Sequence, residues 1–200
     1  GAEIAVATTK AFSAQLGVSY ILASYLAYEK GVINAEYIKN FTDEILCLTE
    51  KINSALNCDK SSEKLAKRVK NQEHIFFIGR GIDYPLCLEG SLKLKEISYI
   101  HCEGYGAGEL KHGTISLIEE GTIVVAIATD DSLYGKMVSN IKEVHARGAY
   151  VIAIVKEGTR GIKEIADEVI YIPKASRYLT PSLTVVPLQL LAYHTTVERG

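Results

Sequence analysis

From residue 74 onward, short apolar runs alternate with segments of helical period, and this alternation constrains the fold more than any other feature of the chain. The runs are HIFFIG (74–79), TIVVAIA (122–128), YVIAIV (150–155) and EVIYIP (168–173), with a weaker one at 99–103. They are rich in β-branched residues and lack the apolar–polar alternation of a strand with one wet face, so they read as strands buried on both sides. Helices are predicted from Pro85, which suits a first helical turn, to about Ser98, and from about Ser132 to Arg147. A shorter helix falls near Ile162–Ala166, and a final one runs from about Pro181 to Glu198. Such alternation implies right-handed crossovers and an α/β fold: a three-layer αβα sandwich around a five-stranded parallel sheet. Ligands of these sheets sit beyond the carboxyl ends of the strands, here residues 79–81, 103–112 and 129–132.

The first seventy residues are different. Thr8 or Thr9 can cap a helix running to Lys30 and ended by Gly31, with Ala11, Leu16, Ile21, Leu22, Leu26 and Ala27 on a broad apolar face. Further helices are expected over 35–56 and 61–70. An all-helical opening is unusual for an α/β domain, and Thr8-Thr9 reads as the end of a loop that belongs to something upstream. The 200 residues suffice for a sizeable core. A net charge of -2 offers no basic field for nucleic acid and no charged block for a membrane surface. No run of about 18 apolar residues could span a bilayer, and no leader opens the chain. Cys47, Cys58, Cys87 and Cys102 lie far apart without a C-x-x-C pair, as expected of reduced thiols in a cytoplasmic protein.

Three features could carry chemistry. Glu89, Lys93 and Glu96 stand at i, i+4 and i+7 and share one helix face. That spacing fits a solvated ion-pair ladder, and it equally fits a pocket wall on which a carboxylate beside an ammonium moves a proton between neighbouring carbons. His112, in the polar and glycine-rich GELKHG, has the side chain suited to proton transfer near neutral pH, although a structural role is open to it as well. Gly79-Arg80-Gly81 follows a strand and precedes a helix but matches no nucleotide-binding fingerprint, so it reads as a tight turn. The loop after the 122–128 run carries Asp130 and Asp131, which should repel a phosphate dianion. No His, Cys, Asp or Glu spacing signals a metal site, and no cofactor is implied.

The segments LEGSLKLKEISYIHCEGYGAGELKHG (88–113), GRGIDYP (79–85), VVPLQLLAYH (185–194) and AVATTKAFSAQL (5–16) resemble, in order, the isomerase domain of the glutamine–fructose-6-phosphate aminotransferase family. The resemblance implies two tandem sugar-isomerase (SIS) subdomains, with residues 1–33 the end of the first and 34–200 the second. It implies that Glu96 shuttles the proton between C1 and C2 of the sugar, tuned by Lys93 and Glu89. His112 would open the sugar ring in the active site of the partner subunit of a homodimer. Val6 and Thr8 would line the sugar pocket, threonine standing where the family usually has serine. The partner molecules implied are fructose 6-phosphate and glucosamine 6-phosphate, with no nucleic acid and no membrane. The family's glutaminase domain, phosphate-binding serine and threonine loops and C-terminal tail with a Schiff-base lysine would lie outside these residues, leaving the piece inactive alone. Two other readings remain open: another SIS-fold sugar-phosphate isomerase or deglycase, and a sugar-phosphate-sensing module of a regulator.

Overall fold

The computed structural model describes residue 4 and residues 7–200. Five strands, β1 (His74–Gly79), β2 (His101–Gly106), β3 (Ile123–Ile127), β4 (Tyr150–Lys156) and β5 (Glu168–Ile172), form one sheet in the order β2-β1-β3-β4-β5. Every pairing is parallel. Helix α5 (Asp83–Ser98) links β1 to β2, α6 (Tyr134–His145) links β3 to β4, and α7 (Thr180–Arg199) follows β5. Four helices precede the sheet: α1 (Lys10–Glu29), α2 (Ala35–Leu46), α3 (Leu48–Ala55) and α4 (Asp59–Val69).

The strands are continuous apolar runs because both of their faces are covered. Alternate side chains divide between two cores. Ile75, Phe77, Val125 and Ile154 pack with Leu65, Leu94 and Leu188 of α4, α5 and α7. Phe76, Ile78, Val124 and Ala153 pack on the other face with Met137 and Ile141 of α6 and with Leu110 and Ile118 of the β2–β3 connection. The predicted αβα sandwich is therefore present. Two glycines allow α5 to lie close on β1 and β2. A Cβ on Gly79 would meet the backbone of Asp83 at 2.9 Å, and one on Gly104 would meet the carbonyl group of Cys87 at 2.8 Å.

Several boundaries differ from expectation, each for a local reason. The helix predicted over 35–56 breaks at Cys47, so that its two halves serve different neighbours. Phe41 stacks on Tyr37 and meets the Tyr20 ring of α1 edge-on, whereas Leu48 and Ile52 pack against the main core. The weak strand predicted at 99–103 starts at His101, because Tyr99 ends α5 in the left-handed conformation with φ 61°. Helix α6 starts at Tyr134, later than predicted, since the Asp130 carboxylate and carbonyl hold Ser132 and Leu133 in a turn before it. The helix expected near 162–166 is a single 3-10 turn, Ile162–Glu164. Thr9 stands at the N-cap of α1 without a side-chain cap bond, the first turn being closed by the Ser13 N–H donating to the Thr9 carbonyl at 3.3 Å.

Helix α1 has no fully buried residue. Phe12, Leu16, Tyr20 and Ala27 line an apolar groove of about 560 Å³ shared with α2, α5 and α7, while Val18, Ile21, Leu22 and Tyr25 on its other sides stay more than half exposed. Among the described residues, no helix is long and apolar enough to cross a membrane.

Candidate functional site

Helix α5 brings Glu89, Lys93 and Glu96 together on one face, as their spacing requires. Lys93 is 4% exposed, and its Nζ donates to Glu96 Oε2 at 2.8 Å and stands 3.9 Å from Glu89 Oε1. A solvated ladder would leave its lysine in water. Here the ammonium is buried between two carboxylates, and the Glu89 oxygen facing it has no hydrogen-bond partner among the described residues. Burial pushes the Glu89 carboxyl above the usual carboxylate range, Lys93 opposes this, and the charge of Glu96 adds to it. A buried ammonium beside an under-bonded, electrostatically coupled carboxylate is a pattern found more often in sites than on surfaces.

His112 does not join this cluster. It ends the 3-10 turn Leu110–His112 beyond the carboxyl end of β2, with its backbone N–H on the Glu109 carbonyl at 3.0 Å. Its ring is exposed and has no hydrogen-bond partner among the described residues. Helix α5 runs antiparallel to the strands, so Glu96 lies about 20 Å along the helix axis from Asp83, at the amino edge of the sheet. Glu96 and His112 thus sit at opposite ends of the sheet, and the turn that carries His112 packs through Leu110 on the face away from α5. Thr8 is exposed just before α1, and Val6 lies outside the described residues. The other histidines have structural company. Nδ1 of His74 lies 3.1 Å from Nδ1 of His101 on the neighbouring strand, His194 meets Asp59 at 2.7 Å, and His145 lies 3.9 Å from Asp167.

The crevice where the strand order reverses, between the carboxyl ends of β1 and β3, is organised differently from expectation. Arg80 turns away from it, its Nε donating to Asn140 of α6 at 2.9 Å. The acidic loop does not present free charge. Asp130 accepts from the Ser132 N–H and hydroxyl (3.1 and 2.6 Å) and from Arg177 at 2.9 Å, and Asp131 pairs with Lys156. Burial pushes the Asp130 carboxyl up, but these bonds outweigh it and leave the group below its ordinary value. What fills the crevice is Asp83, the first residue of α5, which is 1% exposed. Sequence reasoning missed it. The available signal was an acidic residue in the first turn of a helix at a strand-order reversal. Among the described residues, no group of three or more His, Cys, Asp or Glu is arranged to hold a metal ion.

A parallel five-stranded αβα sandwich with a charged cluster on its first crossover helix, away from the carboxyl-end crevice, defines a doubly wound α/β domain. The chain belongs to the SIS domain family, whose model matches residues 68–199. It is 52% identical, over all 200 residues, to the glutamine–fructose-6-phosphate aminotransferase [isomerizing] of Clostridium tetani, and covers 33% of that protein. Over its full length it is 45% identical to the Thermococcus kodakarensis protein of the same name, again covering 33%. The chain therefore spans about one third of the length of these curated relatives. Among solved structures, it resembles the C-terminal domain of glucosamine-fructose-6-phosphate aminotransferase from Francisella tularensis, with a TM-score of 0.93 and 37% identity, covering all of this chain and 56% of that one. A phosphosugar isomerase structure from Clostridium difficile shares the fold at a TM-score of 0.81 and 23% identity, with 100% and 56% coverage.

Proposed function

We propose that this chain is the second SIS subdomain, with a remnant of the first over residues 1–33, of an enzyme that makes glucosamine 6-phosphate from fructose 6-phosphate and glutamine. The observation that carries the reading is the buried Lys93 set between Glu89 and Glu96, on a chain half identical along its whole length to aminotransferases of that name. In this reading, Glu96 takes a proton from C1 of the open-chain amino sugar and returns it to C2. A carboxylate suits the step because it can accept and release the same proton without leaving its place. Glu96 is the least buried of the three, its side chain 31% exposed, which leaves it accessible to a substrate. Lys93 and Glu89 are positioning residues, the ammonium fixing the Glu96 side chain from below.

The opposite placement of Glu96 and His112 supports a homodimer in which His112 serves ring opening in the partner's site while Glu96 serves its own. Val6 and Thr8 would line the sugar pocket. The phosphate-binding loops and the source of ammonia would lie in parts of the relatives that this chain does not span, and the compartment would be the cytoplasm. The decisive experiment is Glu96→Gln in a full-length protein carrying this chain together with the glutaminase, first SIS and C-terminal tail segments. Glucosamine 6-phosphate formation should be lost while fructose 6-phosphate still binds, because an amide cannot take the proton. Turnover within a few-fold of the parent would refute the assignment.

A further inference from the structure

Asp83 opens α5 on one lip of the β1–β3 crevice, and both of its carboxylate oxygens are used from the opposite lip. Oδ2 accepts the backbone N–H groups of Thr129 at 2.8 Å and Asp130 at 3.1 Å, and Oδ1 accepts the Thr129 hydroxyl at 2.5 Å. Asp83 and Thr129 are 1% and 2% exposed. Two successive backbone N–H groups and a hydroxyl, converging beyond the carboxyl end of a parallel strand where the strand order reverses, are the donors with which such sheets hold an oxyanion on a ligand. Here the oxyanion arrives on the protein's own side chain. The neighbouring carboxylates are each engaged elsewhere, Asp130 with Arg177 at 2.9 Å and Asp131 with Lys156. Burial holds the Asp83 carboxyl above its ordinary value, and the charge of Asp130 adds only the smallest contribution to this. The contact is also firmly held, because the first turn of α5 is pressed onto Gly79, where not even a Cβ would fit.

We infer that Asp83 is a built-in occupant of an oxyanion site in the β1–β3 crevice, and that it is the residue excluding phosphate-bearing ligands from this subdomain's own crevice. The site is complete in its donors and is closed only by an internal anion. A second sugar phosphate therefore has no place to dock on this sheet, and the ligand's phosphate must be held elsewhere. The inference rests on the crevice alone, so its failure would leave the assignment of Glu96 untouched, and the reverse also holds.

The test uses the 200-residue chain with Asp83→Gly, which vacates the carboxylate and its Cβ, and Asp83→Asn, which fills the same space without charge. Inorganic phosphate is the probe, titrated by calorimetry at neutral pH and compared with chloride at equal ionic strength in thermal unfolding. Wild type sets the baseline for the general stabilisation that phosphate gives any fold. Asp83→Gly should bind phosphate at least about tenfold more tightly than wild type, the effect expected of two or three charge-assisted hydrogen bonds to a vacated cradle. Its Tm should rise saturably with phosphate beyond the wild-type baseline, and Asp83→Asn should behave as wild type. If Asp83→Gly does not fold in chloride, phosphate should restore its near-ultraviolet circular dichroism, and absence of that rescue overturns the inference. A folded Asp83→Gly chain that answers phosphate no better than wild type overturns it too, as does a wild-type chain that binds phosphate equally well.

Discussion

Replacing Lys93 by methionine tests whether the charged cluster on α5 is an electrostatic unit or a decorated surface. Methionine keeps the length and apolar stem of lysine and removes only the ammonium. Among the described residues, that ammonium is the only cation paired with the two carboxylates, with side-chain exposures of 5% for Lys93, 13% for Glu89 and 31% for Glu96. Removing one partner of a buried ion pair costs about 3–5 kcal/mol when the other is left stranded. Glu96 can turn towards water and Glu89 cannot, so roughly 2–3 kcal/mol is expected for Lys93→Met. For a domain of this size that corresponds to a fall in Tm of about 5–10 °C.

The pH dependence gives a sharper readout than the magnitude. Burial already holds the Glu89 carboxyl above its ordinary value against the pull of Lys93, so loss of Lys93 raises it further. A carboxyl whose folded pKa exceeds its unfolded one binds a proton more readily in the native state. The cost is then full above the folded pKa and is relieved as pH falls from there towards the unfolded value near ~4.3. Urea denaturation followed by circular dichroism should show the largest Lys93→Met deficit at pH 7–8 and a smaller one at pH 5, with unchanged m. Adding Glu89→Gln to Lys93→Met should recover much of the loss. A deficit independent of pH, or below about 0.5 kcal/mol at pH 7.5, would show a surface ladder instead.

Three further predictions concern other parts of the fold. Tyr99 is 88% exposed with φ 61°, a conformation that costs a side chain about 1 kcal/mol, so Tyr99→Gly should raise the urea midpoint, and a lower midpoint would contradict the cap geometry. Gly104→Ala drives a Cβ to 2.8 Å from the Cys87 carbonyl and should destabilise by about 1–3 kcal/mol. Gly135→Ala in α6, where a Cβ meets nothing within 4 Å, should instead stabilise by roughly 0.5–1 kcal/mol, and equal effects at the two sites would refute the close approach of α5 to β2. Burial pushes the Cys102 thiol up to about 12 and the Cys87 thiol well above its ordinary value, whereas Cys47 is exposed. A disulfide reagent at pH 8 should therefore label Cys47 quickly and the other three thiols only on unfolding, and rapid labelling of more than one would count against these burials.

Much of this protein could be read from its sequence because the relevant signals are local. The four strong strands were legible since a strand covered on both faces must be apolar throughout, and the order of runs and helices then left the parallel αβα sandwich as the economical packing. The common face of Glu89, Lys93 and Glu96 followed from helical periodicity. Pairings between distant residues decided the rest. Tertiary packing alone determined that this face is buried, turning a commonplace ladder into a desolvated cluster, and that Glu96 and His112, sixteen residues apart, fall at opposite ends of the sheet. Only the fold shows that Asp130 and Asp131 spend their charge on Arg177 and Lys156, and that Asp83 reaches across 46 residues of sequence to bond the loop at Thr129. Periodicity fixes which side of a helix a residue occupies, whereas the charge and solvation of that side depend on what the rest of the chain lays against it.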